Sequence, residues 1–200
     1  KVTAGLKSGA VPIMVDEDGE RVIYVLVKGS AFEVIEPEDL LFLEEMNPDA
    51  LCFTGVIIGA HPVEESAILA ARRWKGRAKL YFDPNLCYPA DQVPEEIKKA
   101  TRELADLCDV VLTGETEMRA LGLSPKKGSK WMDEKEVERY QIPATKHRPT
   151  DTTGAGDTFM AAFVAAEAEG ASVEKAMRFA SVAAGIAVTK TGARNMPRKG

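Results

Sequence analysis

The pattern of apolar and polar residues changes near Glu36. Before this point, residues 11–15 and 21–27 are rich in β-branched side chains and flank a polar stretch, 16–20, with Asp-Gly at its centre. A turn of this kind between two such runs is typical of paired antiparallel strands. We therefore predict a β-hairpin here, and residues 11–28 are a candidate lid or edge hairpin.

Beyond Glu36, helical and strand patterns alternate along the chain. Four segments carry apolar side chains every three or four positions: 37–46, 62–75, 94–107 and 115–121. Three short apolar runs between them are typical of buried strands: 51–53, 78–82 and 109–112. Strands that alternate with helices imply crossover connections and a mostly parallel sheet with helices on both faces. We predict an α/β fold in which residues 1–200 form a single domain.

Polar side chains follow two of the predicted strands. Asp83 and Asn85 come directly after the second strand, and Glu115 and Glu117 follow the third. Ligands of open parallel sheets bind beyond the carboxyl ends of the strands. These residues are therefore candidates for a binding site.

Composition and charge argue against several classes of protein. The chain has 26 basic and 31 acidic residues, and its net charge of −5 provides no attraction to nucleic acid. Its apolar stretches are too short to cross a bilayer, and its first residues show no basic-then-apolar pattern, so we expect neither a secretory signal nor a membrane partner. The three cysteines form no C-x-x-C pair, which favours a reducing, cytoplasmic compartment.

Two groups of residues are predicted to serve only the core. The cysteines, Cys52, Cys87 and Cys108, lie in or beside apolar runs and are expected to be buried small hydrophobes. In the predicted helix after Ser172, four apolar side chains are expected to pack in the core: Met177, Phe179, Val182 and Ile186.

The most informative segment is a glycine-rich turn that opens a helix. Residues 148–159 read RPTDTTGAGDTF, and the apolar pattern that follows runs to Gly170. The first amides of a helix lack internal acceptors and favour an anion, which small residues at 154–156 leave accessible. Asp157 beside them could take a proton from a hydroxyl that attacks a phosphoryl group. The alternative is a purely structural strand-to-helix turn, in which Thr152 or Thr153 caps the helix and Asp157 favours its first turn.

The run from Asp151 to Phe159 resembles the second signature of the ribokinase-like, or PfkB, carbohydrate kinases. The small-residue helix after it, Ala-Ala-Gly at 183–185 and Thr-Gly-Ala at 191–193 extend the resemblance. Residues 15–21 are similar to the family's early hairpin. The Asp-Pro-Asn run at 83–85 and the acidic motif at 115–117 follow in the family's order.

The resemblance implies ATP-dependent phosphorylation of a hydroxyl on a sugar or sugar acid. By matched position, Asp157 would be the catalytic base. The backbone amides of Gly154, Ala155 and Gly156 would form the anion hole, and Asn85 would lie near the phosphates.

The resemblance also implies cofactor sites. Mg²⁺ would bridge the nucleotide phosphates, and Glu117 matches the acidic residue of the family's N-x-x-E motif. Asp151 and Thr153 match positions that in some members help hold a monovalent cation such as K⁺. Gly192 and Asn195 lie where the family places the loop around adenine.

Three departures limit the transfer. Gly114 stands where the asparagine of N-x-x-E is expected, and Cys87 stands where many members carry an arginine. The chain is shorter than the family's usual length: the N-terminal substrate motif is not visible, and a helix and strand are missing between Leu123 and Lys126. We therefore expect either a truncated enzyme or a sequence from which internal segments are absent.

Several functions remain open at this point. Sugar acids such as 2-keto-3-deoxygluconate and ketohexoses such as fructose fit the family, and a nucleoside fits it less well. Gly114 and Cys87 motivate an alternative, a non-catalytic nucleotide- or phosphate-binding protein, and a purely structural paralogue is a third possibility. An exposed edge of the hairpin would be consistent with a homodimer.

Overall fold

A computed structural model describes residues 5–15, 21–23, 28–123, 130–132 and 150–193. The chain divides into two compact units. We call Lys1–Ala10 with Leu26–Glu136 the sheet unit, and Val11–Val25 with Val137–Gly200 the helical unit. The expectation of a single domain stays a prediction.

The sheet unit contains four parallel strands. They are β3 (Ala50–Thr54), β4 (Lys79–Asp83), β5 (Val110–Leu112) and β6 (Lys130–Met132), in the spatial order β3-β4-β5-β6. Helix α1 (Phe42–Met46) precedes β3, and the helices between successive strands are α2 (Val63–Trp74), α3 (Glu95–Leu107) and α4 (Glu115–Leu121). The predicted strands and helices are confirmed to within two residues, except in two places. The segment 37–46 is a 3-10 helix, Pro37–Leu40, followed by α1, and β6 was not predicted.

Burial explains why these segments form the sheet. The central residues of β4, Leu80, Tyr81 and Phe82, are at most 2% exposed, as expected for a parallel strand covered on both faces. Helices α2 and α3 turn one apolar stripe each toward the core, which includes Trp74 and Leu104. The turns after β4 and β5, which carry the predicted site residues, therefore begin at closely packed strands.

The prediction that all three cysteines are buried is wrong for two of them. Cys108 is buried in the core, whereas Cys52 and Cys87 are exposed. Cys52 lies on β3, an edge strand among the described residues, and Cys87 lies in the loop after β4. An apolar sequence neighbourhood therefore does not bury a side chain at an edge or in a loop.

The helical unit contains a hairpin and two helices. Strands β1 (Ile13–Val15) and β2 (Arg21–Ile23) pair antiparallel, which confirms the predicted hairpin, while its turn at 16–20 lies outside the described residues. Helices α5 (Ala155–Ala168) and α6 (Val173–Ala187) pack against each other. In the part of the chain that the structure describes, no helix has the length and apolar character needed to cross a membrane.

The predicted core positions of α6 are only partly correct. Met177 is buried, but Phe179, Val182 and Ile186 are exposed. The face that α6 buries instead carries alanines, which allow close helix packing: Ala176, Ala180, Ala183 and Ala187. The large apolar residues lie on another side of the helix.

Candidate active site

Gly154 shapes the turn that opens α5. It is the N-cap residue, and its φ of 77° lies in the left-handed region that favours glycine. A Cβ at this position would lie 3.3 Å from the Cα, Cβ and carbonyl oxygen of Ala193. The backbone conformation therefore favours glycine here, and a larger residue would also need Ala193 to shift slightly.

The amides that follow Gly154 are not equivalent. The Ala155 N–H donates to the Thr152 carbonyl at 3.2 Å, within the turn itself. Among the described residues, no acceptor pairs with the N–H groups of Gly154, Gly156 or Asp157. The sequence-based assignment of Gly154, Ala155 and Gly156 therefore changes, because the Ala155 amide is engaged and the Asp157 amide is available.

Asp157 lies in the first turn of α5 and its side chain is exposed. Its carboxylate makes no hydrogen bond or ion pair within the described ranges. Of the structural alternative, the cap from Thr152 or Thr153 is absent, because no side chain forms a cap bond at this end, whereas Asp157 does lie in the first turn as that alternative expects. The carboxylate is thus accessible beside unpaired amides.

Asp151 performs a different task from Asp157. It is 6% exposed, and its Oδ1 accepts the Thr153 N–H at 2.8 Å, while its Oδ2 accepts the Gly192 N–H at 2.8 Å. The Val188 carbonyl accepts the N–H groups of Thr150 and Asp151 at 2.8 and 3.2 Å. Asp151 therefore joins the glycine-rich turn to the loop that follows α6.

Of the other predicted site residues in the helical unit, the structure describes Gly192 and Thr153 but not Asn195. Gly192 is exposed with a φ of 93°, which suits an open loop. The Oγ1 of Thr153 is buried, and no partner for it lies in the described part of the chain. Asn195 lies outside the described residues, so the expected contact of Gly192 and Asn195 with adenine stays a prediction.

In the sheet unit, Asn85 occupies a tight turn after β4. Its φ is 39°, and its N–H donates to Asp83 Oδ1 at 3.0 Å. Gly55 packs closely beneath this turn, because a Cβ there would lie only 1.7 Å from the Pro84 carbonyl oxygen. The Asn85 side chain is exposed at the carboxyl end of the strand, as predicted.

Glu117 links this turn to α4. Its Oε1 accepts the Leu86 N–H at 2.6 Å, and its Oε2 accepts the Thr113 hydroxyl at 2.7 Å. The structure therefore brings Glu117 and the residue after Asn85 together, although 31 positions separate Leu86 from Glu117. Thr113 and Gly55 were not identified from the sequence, although a hydroxyl four residues before a helical glutamate was a usable signal.

The two departures from the family pattern lie beside this link. Gly114 is the exposed N-cap of α4, and a Cβ there would meet no atom within 4 Å. The Cys87 thiol donates to the Asn85 carbonyl at 3.4 Å. Partial desolvation by the surrounding loop, aided by the charge of Glu117, raises the pKa of this thiol although the residue is exposed. Neither residue supplies the amide or the cation that the family pattern has at these positions.

The oxygen atoms of the predicted ligand residues can be compared with what Mg²⁺ and a monovalent cation require. No group of three or more His, Cys, Asp or Glu side chains that could hold a metal lies within the described ranges. Mg²⁺ in nucleotide sites is commonly held by one or two carboxylates, phosphates and water. Glu117 fits that pattern, since each of its oxygens retains a lone pair. For a monovalent cation, the Asp151 oxygens likewise retain lone pairs beside the backbone amides that they accept, and the buried Thr153 Oγ1, which has no partner among the described residues, offers a further oxygen.

The sheet unit also has a cavity of about 610 Å³ that contains none of these residues. It lies between the Pro37–Leu40 segment and α2, with Leu41, Leu69 and Trp74 in its lining. The described site residues therefore lie in turns at strand ends, in the first turns of helices and in the loop after α6, and not in this cavity.

Comparisons with known proteins agree on one family. Residues 123–199 match the sequence pattern of the pfkB family carbohydrate kinases. The sugar kinase PH1459 of Pyrococcus horikoshii is 28% identical over 206 residues, which cover 89% of this chain and 66% of that protein. The ribokinase of Bacillus subtilis is 52% identical over 59 residues, 29% of this chain and 20% of that protein. The chain thus spans less than two thirds of these relatives.

Solved structures give the same result for the fold. The crystal structure of PH1459 in complex with ATP has a TM-score of 0.79 at 23% identity and covers 98% of this chain, which spans 69% of it. The ribokinase of Thermotoga maritima has a TM-score of 0.67 at 25% identity, with 98% of this chain and 68% of that one covered. The fold is therefore ribokinase-like α/β, and the resemblance to the PfkB carbohydrate kinases is confirmed.

Proposed function

We propose that this chain carries the phosphoryl-transfer chemistry of an ATP-dependent carbohydrate kinase. The observation that supports this most strongly is the exposed Asp157 carboxylate beside the unpaired N–H groups of Gly156 and Asp157. Free amides and an acid in the first turn also occur at purely structural helix starts, so the support lies in their accessibility beside the small residues at 154–156. The match of residues 123–199 to the family adds support.

In the proposed reaction, Asp157 accepts the proton of the acceptor hydroxyl as its oxygen attacks the γ-phosphorus of ATP. The new oxygen–phosphorus bond forms as the bond to the β–γ bridging oxygen breaks, and ADP leaves. The amides of Gly154, Gly156 and Asp157 stabilise the charge on the transferred group. Proton removal and charge stabilisation would thus come from one helix turn.

Each other residue has a proposed role within its own unit. Glu117 would hold Mg²⁺, which neutralises nucleotide phosphate charge when bound, and Asn85 would contact phosphate. Asp151 holds the glycine-rich turn in shape, and Thr153 offers an oxygen to K⁺. Gly192 and Asn195 would contact adenine.

The acceptor is proposed to be a sugar acid or ketohexose, with a nucleoside as the weaker alternative, and the assembly to be a homodimer. Incubation with ATP, Mg²⁺ and a panel of 2-keto-3-deoxygluconate, fructose and adenosine tests the acceptor. We expect ADP and a phosphate ester, detected by phosphorus NMR, to form only when an acceptor is present. Absence of acceptor-dependent ADP formation across the panel would contradict the proposal.

Gly114 and Cys87 favour one alternative, a non-catalytic nucleotide-binding protein. Such a protein would be stabilised by ATP, since a ligand that binds only the native state raises the melting temperature. It would form no phosphate ester under the same conditions. A purely structural paralogue would show neither the thermal shift nor turnover.

A further inference from the structure

Thr113 holds one of the two carboxylate oxygens of Glu117. The Thr113 Oγ1 lies 2.7 Å from Glu117 Oε2, while its other acceptor, the Gly114 carbonyl, is more distant at 3.4 Å. Hydrogen bonds to a carboxylate are shorter and about twice as strong as those between neutral groups. The hydroxyl is therefore committed mainly to Glu117.

The opposite oxygen of Glu117 is held by the backbone. The Leu86 N–H donates to Oε1 at 2.6 Å, so the two oxygens of the carboxylate are held by separate segments, the turn after β4 and the residue that directly follows β5. Thr113 and Glu117 are both partly buried, which strengthens the hydrogen bond relative to an exposed one. With both oxygens held, rotation of the carboxylate is restricted.

Gly114, which follows Thr113, cannot donate a side-chain hydrogen bond to Glu117. Gly114 has no side chain, and the space that a Cβ would occupy there is open. Within the described ranges, Thr113 is thus the side chain that donates to Glu117. Removing its hydroxyl would leave Glu117 fixed only through Oε1.

We propose that Thr113 is a positioning residue that orients the Glu117 carboxylate toward magnesium-bound nucleotide. This inference rests on the proposed function, in which Glu117 holds the metal. It predicts that Thr113 affects binding of Mg·ATP more than binding of ATP without metal, because Thr113 acts through the carboxylate and not on the nucleotide itself.

The test compares Thr113→Val, which removes the hydroxyl and keeps the shape, with Thr113→Ser, which retains it. We expect Thr113→Val to weaken Mg·ATP binding, measured by titration calorimetry, by about tenfold, as the loss of one hydrogen bond to a charge predicts. Metal-free ATP binding should be unchanged, and Thr113→Ser should restore wild-type affinity. Thr116→Val is the matched control, since Thr116 is exposed on α4, the helix that carries Glu117.

A second readout needs no nucleotide. Hydrogen exchange of the Leu86 amide should be faster in Thr113→Val than in wild type and Thr113→Ser, because a less restrained Glu117 accepts that bond less often. If the valine variant fails to fold, Thr113→Ala repeats both measurements. Unchanged Mg·ATP affinity, or equal loss in the valine and serine variants, would overturn the inference. A wild-type chain that binds Mg·ATP without turnover would contradict the proposed function and leave this test intact.

Discussion

The carboxylate of Asp151 accepts the backbone N–H of Gly192 at 2.8 Å, across 41 positions of the sequence. Through its other oxygen it accepts the Thr153 N–H, so one buried side chain fixes two loops of the helical unit. This places a structural acid six positions before the proposed catalytic one. The two aspartates of the same motif therefore have separate tasks.

Asp151→Asn is expected to destabilise the protein. The new amide group can accept from only one of the two N–H donors and opposes the other, and a buried donor without an acceptor costs about 1–3 kcal/mol. Urea unfolding measures the free energy of unfolding. The control is Asp91→Asn at an exposed position, which should change that energy by less than about 0.5 kcal/mol. Equal effects of the two substitutions would contradict the role of Asp151.

Gly154→Ala and Gly170→Ala form a matched pair. Both glycines have positive φ, 77° and 85°, so both substitutions carry a backbone cost of about 1–2 kcal/mol. Only Gly154 also lies against another residue, Ala193, whereas a Cβ at Gly170 would meet nothing within 4 Å. We expect Gly154→Ala to lower thermal stability more and to reduce phosphoryl transfer, and Gly170→Ala to leave transfer intact. The reverse order would contradict the close approach of Ala193.

Glu44 should contribute a pH-dependent part of the stability of the sheet unit. Hydrogen bonds from Arg77 and Arg73 lower the pKa of this carboxyl to about 2. A pKa lowered by folding stabilises the folded state above the unfolded value of 4.5, and that contribution is lost as pH falls toward 2. The stability difference between wild type and Glu44→Gln should therefore shrink between pH 5 and pH 2 in thermal melts.

Glu45→Gln is the control for this titration, because Glu45 is exposed and has no arginine partner in the described part of the chain. A Glu44→Gln difference that stays constant over the same pH range would show that the two arginines do not act on Glu44 in solution.

The cysteines should differ in reactivity. Burial, with a further contribution from Asp109, raises the pKa of Cys108 to about 12, so its thiol stays neutral and inaccessible at pH 8. Iodoacetamide followed by mass spectrometry should find Cys52 and Cys87 modified in the native protein and Cys108 only after unfolding. Rapid native modification of Cys108 would contradict its position in the core.

Sequence patterns predicted the secondary structure better than the contacts of the site. The apolar periodicity of α2 and α3 has a direct cause in burial. Strand β6 was missed because its residues, Lys-Trp-Met, do not form a continuous apolar run like the Val-Val-Leu of β5, which is equally short. The exposure of Phe179 could not be predicted, because a helix pattern does not say which face finds a partner. The Leu86–Glu117 bond joins residues far apart in sequence and depends on how neighbouring strands bring their ends together.

In the glycine-rich turn, the hydrogen bond of the Ala155 amide could not be predicted from the sequence either. Its composition indicated accessible amides, and those of Gly156 and Asp157 have no acceptor in the described ranges. The Ala155 amide is instead used within the turn, which depends on backbone angles that residue types alone do not specify.

The proposed base is tested most directly by the turnover of Asp157→Asn, measured beside Asp91→Asn with ATP and an accepted sugar. Loss of a general base predicts that kcat falls by about a hundredfold to ten-thousandfold, while the Kd for nucleotide stays near the wild-type value. The Asp91→Asn control should retain wild-type kcat. A near-normal kcat in Asp157→Asn would contradict the assignment of Asp157 as the residue that takes the hydroxyl proton.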